Sequence, residues 1–194
     1  MQTESTQELV KQLQAGDLSA FDGLFAIYQA KAVRTAALIC GDAALGEDIA
    51  QEAFVNCYLN IHSLQNPERF RPWFFKILTR TAWRTADKHK GMVPVDEIFE
   101  TIDSNVPPIY DTYPSEGKGH YDALYRAIGS LGTKQRTAIT LFYFNDFSIA
   151  EIAEVTSSLE AAVKSRLYVA RRQLKRSLAE STMEGGLPYE KRRV

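Results

Sequence analysis

Leu159, Val163, Leu167, Ala170, Leu174 and Leu178 step along the chain by four, four, three, four and four positions. At about 100° per residue they fall within an arc of about 100°, one stripe of an amphipathic helix. Ahead of that stripe, Ser148 and Glu151 stand at capping-box spacing, which predicts a helix start at Ile149. Thr156, Ser157 and Ser158 then interrupt it with residues that favour turns and caps. A short helix, a three-residue turn and a longer helix make the layout of a helix-turn-helix unit.

The first ninety residues carry helical periods too. A short amphipathic segment over about 5–15 ends at Gly16, and a longer one over about 18–40 ends at Gly41. A third begins after Asp42, with Ile49, Ala53, Cys57 and Ile61 recurring every four residues. Asn66-Pro67 breaks the chain, and the fourth segment, "RFRPWFFKILTRTAWRTADKHK", sets an inward stripe of Trp73, Phe74 and Ile77 among basic residues. Between Gly91 and Gly119 the period disappears into an acidic stretch with four prolines and three glycines, save one helical turn near Glu97–Ile102. The expected fold is all-α, with two small helical domains at 1–92 and 121–180, a flexible acidic linker at 93–120, and a mobile tail at 181–194.

The length of 194 residues fits that division. No apolar run approaches the ~20 residues of a membrane span, and the polar, acidic N-terminus argues against a secretory signal. A cytoplasmic protein without membrane insertion is expected. Cys40 and Cys57 match no zinc or redox spacing and read as small buried thiols. His62, His89 and His120 are scattered, no Gly-rich loop precedes a helix, and no carboxylates cluster at metal-ligand spacing. No enzyme activity, metal or cofactor is expected.

Charge sharpens the picture. The net value of −1 conceals alternating blocks: five acids and no Lys or Arg over 42–68, then seven basic residues against one acid over 69–90. Seven acids against one lysine follow over 94–122, and twelve basic residues against seven acids over 123–194. Separate surfaces for separate partners are implied. In the last helix Lys164, Arg171, Arg172, Lys175 and Arg176 lie opposite the apolar stripe, with Arg166 at its edge. The N-terminal portion would offer Glu160, Ala161, Lys164, Ser165 and Tyr168 to a major groove. This stretch alone fits either a DNA reader or a solvated helix of a bundle.

Three blocks in order, "GEDIAQEAFVNCYLNI", "RPWFFKILTRTAWR" and "LGTKQRTAITLFYFNDFSIAEIAEVTSSLEAAVKSRLYVARRQL", resemble regions 2 and 4 of the extracytoplasmic-function sigma factors. These are the small two-domain specificity subunits of bacterial RNA polymerase. The resemblance spans roughly residues 5–180. It implies that Asp48, Gln51, Glu52 and Phe54 dock on the clamp coiled coil of the beta-prime subunit, and an acidic helix face suits a basic protein partner. It implies that the loop from His62 to Phe70, with Leu64, Asn66, Arg69 and Phe70, captures a flipped base of the minus-10 element. Arg71, Lys76, Arg80 and Arg84 on the following helix would track the backbone beside stacking aromatics. It puts the last helix on the minus-35 duplex, through Glu160, Ala161, Lys164, Ser165, Arg166, Tyr168, Arg171, Arg172 and Lys175, with Lys134 and Arg136 holding phosphates. The linker would thread the polymerase near the RNA exit path.

Some positions depart from the family. Ser157 stands where a Gly is usual, Ala161-Ala162 where Gly-Thr is usual, and Val169 where Arg is frequent. Arg80 and Arg84 replace common Asn and Asp, and Leu64 a frequent Phe. The fold is expected to survive, while the promoter sequence does not transfer. The implied partners are core RNA polymerase through its beta-prime and beta subunits, promoter DNA, and an anti-sigma factor of the kind that commonly restrains the family. The alternative is a stand-alone helix-turn-helix regulator.

Overall fold

The computed structural model describes residues 2–88 and 118–184. Most of the expected linker, its helical turn and the end of the tail lie outside the described residues. The elements are α1 (Gln2–Gln14), α2 (Ser19–Cys40), α3 (Ala44–Asn60), α4 (Phe70–Lys88), α5 (Lys118–Gly129), α6 (Thr133–Ile139), α7 (Ile149–Val155) and α8 (Glu160–Glu184). Two 3₁₀ turns, Ile61–Ser63 and Pro67–Arg69, join α3 to α4. A π turn, Thr140–Phe144, extends α6. Helix α5 starts ahead of position 121 and α8 runs past position 180, so both flank the region 4 boundaries expected from sequence.

Local chemistry sets these ends. Gly41 ends α2 in the left-handed region at φ 82°, its N–H bonded to the Ala37 carbonyl. Asn66 caps the second 3₁₀ turn by accepting from the Glu68 N–H at 2.9 Å, with Pro67 at the first helical position. Ser148 and Glu151 form the reciprocal box read from sequence: the Glu151 carboxylate accepts from the Ser148 N–H at 2.8 Å, and the Glu151 N–H donates to Ser148 Oγ at 3.2 Å.

The α1–α4 half closes over an aromatic cluster. Phe54 and Phe74 have ring centroids 4.8 Å apart, Phe70 stacks on Phe74 at 5.9 Å, and Tyr28 meets Phe70 edge-on at 5.3 Å. Helices α2 and α3 approach closely at Gly46, where a Cβ would come within 3.0 Å of the Val33 carbonyl oxygen. Phe70, Phe74 and Phe75 are all fully buried, whereas Trp73 and Ile77 of the expected inward stripe are half-buried. The stripe is thus rotated and widened, because α4 is covered on two sides.

The second cover is the other half of the chain. One contiguous core runs from Val10 in α1 to Ala170 in α8. Phe75 of α4 packs edge-on against Phe147 at 5.1 Å. Thr35 of α2 and Asn145 exchange side-chain hydrogen bonds at 2.9 and 3.2 Å. Residues Thr35–Ile39 are buried all the way round α2, which lies between α3 and the α6 segment.

Both cysteines are thiols set in this packing. Burial pushes Cys57 up to about 12, and burial with the nearby Asp42 charge pushes Cys40 up to about 11. Both stay protonated at neutral pH, unlike a low-pKa redox switch.

Candidate nucleic-acid interface

The helix-turn-helix is α7, the turn Thr156–Leu159, and α8. Ile152 and Val155 bury against Val163, Leu167 and Ala170, which fixes the crossing of the two helices. Leu159, expected on the apolar stripe, is 79% exposed, because it precedes α8 and the stripe begins at Val163. Ser157 in the turn has φ 49°, the left-handed region that disfavours a side chain. That geometry is the physical reason a glycine suits the position. Ser157→Gly is expected to raise stability by about 0.5–1 kcal/mol, read as a higher urea midpoint.

The outer face of α8 carries Glu160, Ala161, Lys164, Ser165, Tyr168, Arg171, Arg172 and Lys175, all exposed. Lys164 pairs loosely with Glu160 at 3.8 Å. Arg171 donates to the Tyr143 hydroxyl at 2.8 Å and lies near the Phe142 ring. Arg166 is turned back onto Ser158 Oγ at 2.9 Å, which closes the turn. Tyr168, 67% exposed, is an aromatic side chain on this basic face.

Burial of the Glu151 carboxyl pushes its pKa upward, but the Ser148 amide and hydroxyl and the Arg71 and Arg69 charges outweigh this and hold it below the ordinary value of 4.5. A carboxylate depressed in the folded state stabilises above its unfolded pKa and loses that contribution as pH falls through the folded one. The stability gap between wild type and Glu151→Gln should therefore be present at pH 7 and close as pH falls below 4.5 through the lowered folded-state value. Urea unfolding across that range measures it.

On α4 and the loop before it, Asn66, Arg69, Arg80 and Arg84 are exposed, and Arg71 and Lys76 are half-buried. An open cleft of about 650 Å³ runs past Pro67, Phe70 and Arg71, and is also lined by Tyr28, Lys31 and Asp146. Leu64 and Phe70, expected to meet DNA, are buried instead. Leu64 closes the loop onto α1, where Gln14 Nε2 bonds its carbonyl at 2.8 Å, and Phe70 belongs to the aromatic cluster.

Several arginines are engaged across the molecule. Arg69 pairs with Glu154 of α7, and Arg84 with Glu52 of α3. Arg71 donates to the Asn145 carbonyl and lies 4.1 Å over the Phe147 ring. Arg80 reaches Ser157 Oγ at 3.4 Å. Lys134 lies over the Trp83 ring. Arg136, expected to hold a phosphate, is only 8% exposed. Its guanidinium donates to the Ile39, Cys40 and Gly129 carbonyls at 3.0, 2.9 and 2.9 Å. In this arrangement it faces the end of α2 rather than solvent.

The acidic helix α3 presents Asp48, Gln51 and Glu52 on its exposed face. Phe54, expected beside them, is 3% exposed and packs on Phe25 and Phe74. The apolar side chains that reach solvent are Val55, Tyr58 and Leu59, which sequence reading passed over. Val55 lies four positions after Gln51 and three after Glu52, a helical neighbour relation that marks it from sequence. Among the described residues no three His, Cys, Asp or Glu side chains gather at a metal site, and no helix is long and apolar enough to cross a membrane.

Comparison with known proteins agrees with this layout. The family model "Sigma-70 region 2" matches residues 24–91 and "Sigma-70, region 4" matches residues 121–174. The RNA polymerase sigma factor SigV of Bacillus subtilis is 33% identical over 139 residues, 70% of this chain and 77% of that protein. The RNA polymerase sigma-H factor of Pseudomonas aeruginosa is 30% identical over 187 residues, 90% of this chain and 94% of that one. The extracytoplasmic-function sigma factor SigW of B. subtilis is 29% identical over 88% of this chain and 95% of its own length. In fold, the chain matches CnrH, solved with the cytosolic domain of CnrY, at a TM-score of 0.66, 22% identity and coverage of 91% of this chain and 98% of that one. RpoE of Bartonella quintana, solved with the anti-sigma factor NepR, gives 0.64, 19% and coverage of 84% and 98%. With two sigma regions in order along one all-helical chain and relatives matched over most of their length, the protein belongs to the extracytoplasmic-function sigma factors of RNA polymerase.

Proposed function

We propose that this sigma factor directs promoter-specific initiation through three surfaces, each with its own partner. The exposed acidic face of α3, Asp48, Gln51 and Glu52 with Val55 beside them, meets the basic clamp of core polymerase. The loop at Asn66 and the α4 arginines hold the minus-10 element, and the adjoining cleft offers room for an unstacked base. The outer face of α8 reads the minus-35 duplex, with Lys164, Ser165 and Tyr168 towards the bases and Arg171, Arg172 and Lys175 along phosphates. The observation that carries the reading is the separation of charge: an exposed acidic α3 face and an exposed basic α8 face on one chain. A stand-alone regulator needs no acidic docking helix.

The reading also supports a chain with no catalytic step of its own, working in the cytoplasm where the template is. The complexes of CnrH with CnrY and of RpoE with NepR support an inhibitory partner here as well. In vitro transcription from genomic fragments with core polymerase tests the proposal. Discrete start sites are expected with wild type. Asp48→Arg combined with Gln51→Ala should lose core binding and those transcripts together. Retained binding by that variant would remove α3 from the docking surface.

A further inference from the structure

Thr140–Phe144, "TLFYF", is an apolar run that the structure divides between core and surface. Thr140 and Leu141 are buried, Phe142 and Phe144 are half-buried, and Tyr143 is 54% exposed. The five residues form a π turn, whose wider i→i+5 ring rotates their side chains out of the α6 register. Tyr143 comes to lie beside α8, where Arg171 Nε donates to its hydroxyl oxygen at 2.8 Å. The guanidinium carbon is 5.4 Å from the Phe142 ring centroid and 5.5 Å from that of Tyr143. Those two rings meet edge-on with centroids 5.0 Å apart. A segment outside the helix-turn-helix thus fixes the pose of one arginine on the basic face of α8.

We infer that Tyr143 and Arg171 form a composite clamp for a single backbone phosphate of the minus-35 duplex. The inference rests on the α8 assignment proposed above and adds Tyr143, which that assignment does not contain. The donor count carries it. A phenol has one O–H to give and two lone pairs that accept, while a guanidinium has five N–H groups and accepts nothing. Arg171 places its Nε–H on the Tyr143 oxygen, so the Tyr143 O–H has no acceptor in return. Among the described residues neither that O–H nor the Arg171 Nη groups meet an acceptor. The pair therefore offers a neutral O–H and several N–H donors side by side, with one positive charge, to the oxygens of one anion. A phosphate diester matches that pattern, whereas a base edge would leave most of the donors unused. Arg171 follows Lys164 by seven residues, about 10.5 Å of helix, and the major groove is about 8.5 Å deep. With Lys164 at base edges, Arg171 stands near the rim of the groove, where the phosphates run. Because Tyr143 belongs to the segment before α7, the clamp sets how α8 lies in the groove while other residues read the bases.

Tyr143→Phe removes only the hydroxyl and keeps the ring against Phe142, at an exposed position, so the fold is retained. Arg171→Gln removes the charge. Each full chain, assembled with core polymerase, is titrated with duplex promoter fragments recovered by the transcription experiment above. In a second series the backbone phosphates of the minus-35 region are replaced one at a time by uncharged methylphosphonates. Tyr143→Phe should weaken binding to the unmodified duplex about tenfold. The two single losses should be non-additive, the double variant falling clearly short of their product. Arg171→Gln should flatten log affinity against log salt by about 0.9, while Tyr143→Phe, which keeps the charge, should leave the slope unchanged. One methylphosphonate should weaken wild type strongly, Tyr143→Phe less, and Arg171→Gln hardly at all. A tyrosine that only supports the fold would cost the same factor on every modified duplex and would multiply with Arg171→Gln. That pattern, or full affinity for Tyr143→Phe, overturns the clamp. Wild type that is insensitive to every minus-35 methylphosphonate sinks the α8 assignment itself. Wild type that is sensitive, with no phosphate shared by the two variants, sinks the clamp alone.

Discussion

Phe74→Ala will lower the unfolding free energy by about 3–5 kcal/mol, the range for emptying a fully buried phenylalanine site. The side chain is completely buried. Its ring touches Tyr28 at 5.7 Å, Phe54 at 4.8 Å, Phe70 at 5.9 Å and Phe75 at 5.8 Å. Those four rings come from α2, α3 and α4, so no single neighbour can swing in to fill the void without breaking another aromatic contact. Against a total of about 5–15 kcal/mol for a protein of ordinary stability, this is a fifth or more. Trp73→Ala, one position earlier but half-buried, should cost clearly less. Urea unfolding followed by circular dichroism measures both. A Phe74 loss below about 1 kcal/mol, or a larger loss at Trp73, would mean the aromatic cluster is not the centre of this half.

That contrast between neighbours shows where sequence reading reached and where it stopped. Local signals were legible. The Ser148–Glu151 box, the Gly41 stop, the Asn66-Pro67 break and the Val163–Leu167–Ala170 stripe each act within a few residues, and each appears in the fold as read. Helix α4 was misread by one notch because a periodicity argument assumes one buried face. Phe70 and Phe74 meet rings of α2 and α3, while Phe75 faces Phe147 from more than seventy residues away, so the helix is apolar on two sides. Phe54 and Leu64 were assigned outward for a related reason. A motif names positions, and only packing says which of them have room to reach a partner.

The chemistry of the surfaces was legible as charge blocks, and α8 displays its basic residues as expected. Whether a given arginine is free was not. Arg69, Arg71 and Arg80 each find an oxygen from residues 145–157, and nothing within a helical turn of any of them encodes it. A seam made of such pairs leaves no period in the sequence, since each half keeps the same residues whether it meets the other half or a nucleic acid. A contact between the halves that uses the candidate functional residues themselves is therefore hidden from pattern reading in a way that a core is not.

Arg136→Ala will uncouple the two halves. Wild type should unfold thermally in one cooperative transition, and the variant should lose about 3–5 kcal/mol, the scale for leaving buried carbonyls without their charged donor. For a chain of this size the midpoint falls by roughly 10 °C, or the transition splits in two. Burial lowers the pKa of the guanidinium below its ordinary value, with the Cys40 side chain opposing, yet an arginine remains charged at neutral pH. Its charge is offset by three carbonyls: Ile39 and Cys40 at the end of α2, and Gly129 at the end of α5. Two of the three acceptors lie across the seam, so most of the loss is docking energy and the smaller part loosens the α5–α6 joint. Arg136→Lys keeps the charge but cannot fork to three oxygens, and should fall between wild type and alanine. Gly41→Ala gives an independent check from the other side. A Cβ there would sit 2.7 Å from Arg136 Nη1, at a backbone φ of 82° that already disfavours it. Calorimetry that returns a single, unshifted transition for Arg136→Ala would show that water serves the α2 carbonyls as well as the arginine does, and that the seam is held by Phe75 and Phe147 instead.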